Sequence, residues 1–132
     1  MNDESKIPTT YTDPSGLNPY NSQLSTITIK WDESSTDEVK QERIITQKWI
    51  ANWMLGNEAW ADYRRTGYPK LIPTTDEGNM SGGTVDNKKG ARRMPYPSAE
   101  YIDNTVNVQY AVNNYLKRAD NMATDLWWAC KP

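Results

Sequence analysis

Residues 35–69, STDEVKQERIITQKWIANWMLGNEAWADYRRTGYP, carry the strongest helical pattern of the 132-residue chain. Ser35-Thr36-Asp37-Glu38 has the capping-box form. A hydroxyl can take an N–H of the first turn, and acids there complement the helix dipole. Beyond it Ile45, Trp49, Ile50, Trp53 and Met54 fall at i, i+4, i+5, i+8 and i+9, one apolar stripe of helical period. Gly56 fits the left-handed residue that ends such a helix, and Asn57 can cap a second one from Glu58 to about Arg65, stopped by Gly67 and Pro69. The expected product is a helical hairpin or kinked pair, with Trp49, Trp53 and Trp60 as core.

Upstream, residues 1–34 form an irregular arm marked by the turn-formers Asp13-Pro14-Ser15-Gly16 and Asn18-Pro19-Tyr20. Within it Thr26-Ile27-Thr28-Ile29-Lys30-Trp31 alternates strictly, which predicts a short strand with Ile27, Ile29 and Trp31 on its buried face. Thr84-Val85 or Arg92-Arg93-Met94 could supply the partner that a lone strand needs. Downstream, Tyr68 to Pro73 is extended because each proline biases its predecessor away from helix. Residues 74–90 hold Gly78, Gly82, Gly83 and Gly90 with nothing periodic and read as a long loop. Ser98 can cap a short helical turn, and Val108, Ala111, Val112, Tyr115 and Leu116 mark a last helix. The matched helical core spans residues 35–132, and residues 1–132 read as a single region with no internal repeat.

Composition removes several classes of function. Fifteen Lys and Arg stand against 17 Asp and Glu, a net charge of −2, which argues against nucleic acid as partner. With no His and one Cys, imidazole and thiolate metal centres and Ser–His or Cys–His nucleophiles cannot be built within the chain. No run of about 18 apolar residues is present. Met1 to Lys6 has neither the basic region nor the apolar stretch of a signal peptide. Leu, Ile and Val number only 19, so six Trp and eight Tyr must supply much of the buried area.

Four blocks occur in one order: Ile44 to Ala51 with Gln47 and Trp49; Glu58 to Pro69 with Trp60, Arg64 and Arg65; Arg92-Arg93 to Glu100; and Leu126-Trp127-Trp128. Over residues about 40 to 128 the chain resembles the C-terminal part of the SusD/RagB family, nutrient-binding lipoproteins of the outer-membrane surface in Bacteroidetes-type bacteria. The resemblance implies a mainly α fold: the C-terminal part of an all-helical, tetratricopeptide-containing SusD-like architecture with long irregular loops and at most a small β-hairpin. It also implies capture of an oligosaccharide or similar nutrient without catalysis or cofactor, beside a SusC-like TonB-dependent transporter. The family's signal peptide, lipid-bearing Cys and helical repeats are not seen in these residues, so a fragment completed by an N-terminal part of the same protein is expected.

Individual side chains divide between chemistry and architecture. Sugars stack their C–H faces on flat rings while amides take their hydroxyls, so aromatics in irregular segments are the ligand candidates: Tyr11, Tyr20 and Trp31, near Asn18, Asn21 and Gln23. Glu58 and Asp62, four apart on one helix, could mimic the paired carboxylates of a glycosidase. The expectation is instead that they pair with Arg64 and Arg65 and lock the helix end. Asp76, Glu77, Asn79 and Asp86 carry the hard oxygen atoms that calcium takes, but their spacing matches no calcium loop, so a solvated loop is expected. No metal ligand set is assigned.

Overall fold

The computed structural model describes residues 4–7, 14, 25–76 and 78–129. They form four α-helices: α1 (Asp37–Ala51), α2 (Gly56–Thr66), α3 (Ser98–Asp103) and α4 (Thr105–Ala111). A π-helical turn, Val112–Leu116, prolongs α4, and a 3-10 turn covers Trp127–Ala129. Among the described residues there is no strand, only an isolated antiparallel bridge between Asp86 and Gly90. The mainly helical expectation holds. The chain forms two compact units, Met1–Pro73 and Thr74–Pro132.

In the first unit, the cap of α1 falls on Thr36, whose hydroxyl accepts from the Val39 N–H at 3.4 Å. The Ser35 hydroxyl goes instead to Asp32, which accepts from the hydroxyls of Ser34 and Ser35 at 2.6 and 2.9 Å. The helix ends at Ala51, earlier than the stripe suggests, because Asn52 leaves the helical dihedrals at ψ 23° and the Leu55 N–H turns back onto Asn52 O at 2.8 Å. Gly56 is therefore not a left-handed terminator. It is the first residue of α2, whose ladder starts when the Glu58 and Ala59 N–H groups both close on Leu55 O. Asn57 then lies inside the helix. Gly67 does terminate it, at φ 77°, with its N–H on Tyr63 O at 2.7 Å.

The Thr26–Trp31 strand does not form. Arg43 Nε donates to Thr28 O at 2.9 Å, taking an acceptor that a ladder would need, and the Lys30 N–H goes to Glu4 O at 3.0 Å. Ile29 and Trp31 are consequently exposed.

In the second unit, the 74–90 loop is held by its own side chains. Asn79 bridges to Val85 O at 2.9 Å and to Asn87, which in turn donates to Asp76. Asp86 accepts the Lys88 and Lys89 N–H groups at 2.8 and 2.6 Å. Gly82, Gly83 and Gly90 supply the left-handed turns. Arg92 and Arg93 then anchor the extended run to the C-terminal segment. Arg92 Nε reaches Asp125 at 2.6 Å, and Arg93 pairs with Asp120. Asp120 also accepts from the Tyr101 hydroxyl at 2.6 Å and the Tyr96 N–H at 3.1 Å.

The buried set is unusually polar. Glu42, Arg43, Asp62, Thr66, Arg92, Arg93 and Thr124 are buried, while the hydrophobic core among the described residues is Ile45, Val108 and Ala129. Ile50, Trp53, Met54, Leu55, Met94, Ile102 and Val106 are exposed. The α1 stripe is thus covered at Ile45 and half covered at Trp49, and open from there on. Charged pairs link separate elements in both units: Lys48–Asp62 in the first, Arg92–Asp125 and Arg93–Asp120 in the second.

Candidate functional site

Among the described residues, the α1–α2 hairpin builds an aromatic-lined groove. From α1 come Trp49, Asn52 and Trp53, at i, i+3 and i+4, and from α2 Gly56, Ala59, Trp60 and Tyr63 at i, i+3, i+4 and i+7. Leu71 closes one side, and the open groove measures about 460 Å³. The Arg64 guanidinium sits 3.7 Å from the centre of the Trp60 ring, a cation–π contact that fixes the indole. Trp53 is 78% exposed, so it is a rim residue and not the core residue its spacing suggested.

An ion pair bridges the two helices of this hairpin. Asp62 of α2 pairs with Lys48 of α1 at 2.6 Å and accepts a hydrogen bond from Arg65 at 2.9 Å. The Lys48 ammonium beside it, against the opposing effect of burial and with help from Arg65, holds the Asp62 carboxyl below the usual carboxylate range. Glu42 accepts from Ser25 at 2.7 Å and pairs with Lys70 at 3.0 Å. The Tyr68 hydroxyl donates to Glu38 at 2.6 Å, and that bond, with burial, pushes its pKa up to about 12. Asp62 is thus engaged on two sides and Glu58 is exposed, so the two carboxylates do not face each other across a cleft. A second groove of about 500 Å³, lined by Ile7, Ile27, Ile29, Gln47 and Ile50 among others, lies on the same unit.

Of the ligand candidates, Tyr11 and Tyr20 lie outside the described residues, as do Asn18, Asn21 and Gln23. Trp31 is 48% exposed, its indole N–H donates to Glu33, and the Lys40 and Arg43 cations lie 5.9 and 6.0 Å from its ring centre. Among the signature residues, Gln47 sits on the second groove and Trp49 and Trp60 on the first. Arg65 is on Asp62, Arg64 on Trp60, and Arg92 and Arg93 in the buried pairs of the second unit. Glu100 accepts from Asn104 at 3.0 Å. Trp127 is 85% exposed and Trp128 38%. Asp76 and Asp86 are taken up by loop hydrogen bonds, and Glu77 lies outside the described residues. The groove itself is not evident from sequence. Its signal is present in the two i, i+3, i+4 sets, Trp49-Asn52-Trp53 and Gly56-Ala59-Trp60, but helical spacing alone reads equally as core.

The profile of the SusD-like family, described as Susd and RagB outer membrane lipoprotein, matches residues 1–129. The chain belongs to the SusD-like family. Among solved SusD homologues, one from Bacteroides uniformis is 71% identical with a TM-score of 0.87, over 98% of this chain and 26% of that one. One from Bacteroides thetaiotaomicron is 40% identical with a TM-score of 0.78, over 98% and 28%. A chitin-binding SusD homologue from Flavobacterium johnsoniae is 38% identical with a TM-score of 0.76, over 98% and 27%. This SusD-like chain spans about a quarter of the length of the solved structures it matches. No curated protein matches it. No helix among its described residues is long and apolar enough to cross a membrane.

Proposed function

We propose that this chain serves, as the C-terminal region of a longer SusD-like protein, in the non-catalytic capture of glycan at the outer-membrane surface, beside a SusC-like TonB-dependent transporter. The observation that carries the reading is the match over 98% of the chain to a chitin-binding homologue at 38% identity. The chemistry agrees with it. Of the two helical carboxylates weighed for bond cleavage, Asp62 is held in an ion-pair lock and Glu58 is exposed away from it. Tyr11, Tyr20 and the half-exposed Trp31 are the proposed sugar contacts. A second reading, a structural or interaction region with no ligand site of its own, is favoured by the breadth of exposed apolar surface.

The test is calorimetric titration of chito-oligosaccharides and a wider glycan panel into the product of the native reading frame that encodes this chain, with Trp31→Ala alongside. Saturable heat that weakens in the variant supports capture. No heat from any glycan favours the structural reading, and release of reducing ends contradicts both.

A further inference from the structure

We propose that Tyr110 and Tyr115, brought together by the π-helical turn that prolongs α4, form a stacking subsite for an uncharged sugar ring, with the amides of Asn107, Asn113 and Asn114 taking its hydroxyls. The proposal rests on the glycan capture proposed above and gives it a subsite on the second unit.

Side chains five positions apart do not meet on an α-helix: at 3.6 residues per turn they sit about 140° around the axis from one another. Here Val112–Leu116 winds as a π-turn, closed by the Lys117 N–H on Val112 O at 2.9 Å, and the wider turn carries Tyr115 back toward the face of Tyr110. The two ring centres lie 5.9 Å apart with their planes at 81°. The turn ends on Lys117 at φ 54°, the one non-glycine residue with a positive φ among the described residues. Left-handed backbone is strained for such a residue, and strain of this kind concentrates at ligand sites. What the turn produces is not a packed core, since Tyr110 is 58% and Tyr115 73% exposed. In an edge-to-face pair each ring keeps a flat face uncovered by the other, the surface on which the C–H side of a pyranose stacks.

Around the rings, the exposed side chains of residues 105–116 are Val106 and the amides of Asn107, Gln109, Asn113 and Asn114. None of these positions is charged, in a chain that is 24% charged, whereas the solvated face of a helix ordinarily carries charge. Tyrosine interleaved with asparagine is the composition of surfaces that bind through rigid rings and adaptable hydrogen bonds. An uncharged amide set matches hydroxyls, not a phosphate, a uronate or an ammonium. Asn114 Nδ2 donates to Tyr110 O at 2.8 Å and Asn107 Nδ2 to Asn104 Oδ1 at 2.6 Å, so each amide is held with a carbonyl oxygen to offer as acceptor. Val106 is the only exposed aliphatic side chain of the segment, so it offers ring stacking and not an apolar docking face.

The experiment titrates chito-oligosaccharides and a wider panel of uncharged glycans into the product of the native reading frame by calorimetry, with Tyr110→Leu, Tyr115→Leu and Tyr115→Trp alongside. Leucine keeps apolar bulk without a flat ring, and tryptophan restores the ring. Circular dichroism and thermal melts follow each variant. Either leucine variant is expected to weaken binding about tenfold, the loss of one stacked ring, and Tyr115→Trp to bind within about twofold of the parent. Parent-like affinity in both leucine variants overturns the proposal, and if their Tm values also fall, the rings belong to a protein contact. Binding in Tyr115→Trp as weak as in Tyr115→Leu overturns it too. Heat that is lost in Trp31→Ala but not in the leucine variants leaves glycan capture standing and removes this subsite. Tyrosine-dependent binding with release of reducing ends does the reverse, and no heat from any glycan removes both.

Discussion

Replacing Asp62 by alanine tests how the hairpin is held. Its buried carboxylate makes an ion pair with Lys48 at 2.6 Å across to α1 and accepts a charge-assisted hydrogen bond from Arg65 at 2.9 Å within α2. Hydrogen bonds to charged groups contribute about 1.5–3 kcal/mol each. Lys48 and Arg65 are half exposed, however, so water replaces much of what they lose and the pair sum must be discounted. About 2 kcal/mol remains, equivalent to a fall of roughly 8 °C in Tm for a chain of this size. Thermal melts followed by circular dichroism at neutral pH measure it, with Lys48→Ala and the double variant completing a cycle. The coupling between positions 48 and 62 should be about 1 kcal/mol. A loss for Asp62→Ala below about 0.5 kcal/mol, the range of ordinary surface changes, would show that the interhelix lock contributes nothing.

Asp120 and Asp125 share the acid sensitivity of Asp62. Burial raises both carboxyls, but hydrogen bonds from Tyr101 and Arg93 to Asp120, and from Arg92 and Lys89 to Asp125, outweigh it and leave them below the ordinary value of 3.8. Folded-state values that are depressed mean stability present above about pH 4 and lost as the pH falls through the lowered values, measurable as a drop in urea midpoint from pH 5 to pH 2 that Asp62→Asn reduces. Gly67→Ala should cost about 1 kcal/mol in the same melts: a Cβ there meets nothing within 4 Å, so the penalty is that of φ 77° alone. Ultraviolet titration should find Tyr68 ionising near pH 12, and Glu38→Gln should return it toward 10.

The helices are legible because their signals are local. The acidic first turn of α1 and Gly67 after α2 act over three or four residues, and the blocks that carry the family resemblance lie largely on or beside helices. Gly56 is misleading because Asn52 and Leu55 close the turn between the helices with backbone bonds that no residue type announces. The strand at 26–31 fails because its alternation is a statement about faces, whereas its fate is decided by Arg43, 15 positions away from Thr28. Trp53 reads as core for a related reason: periodicity shows which residues share a face but says nothing of what covers it. The polar character of the buried set is not visible either, since Arg92 and Arg93 find Asp125 and Asp120 only in three dimensions.

The central claim is capture of sugar without breaking it, and it is tested most directly by recovering the ligand. Chito-oligosaccharide bound to the native product is released by denaturation after prolonged incubation and weighed by mass spectrometry against the input. The account predicts retention of the sugar on the protein and recovery at unchanged chain length. Shortened oligomers, or a ligand that passes through unretained along with every other glycan tried, would contradict it.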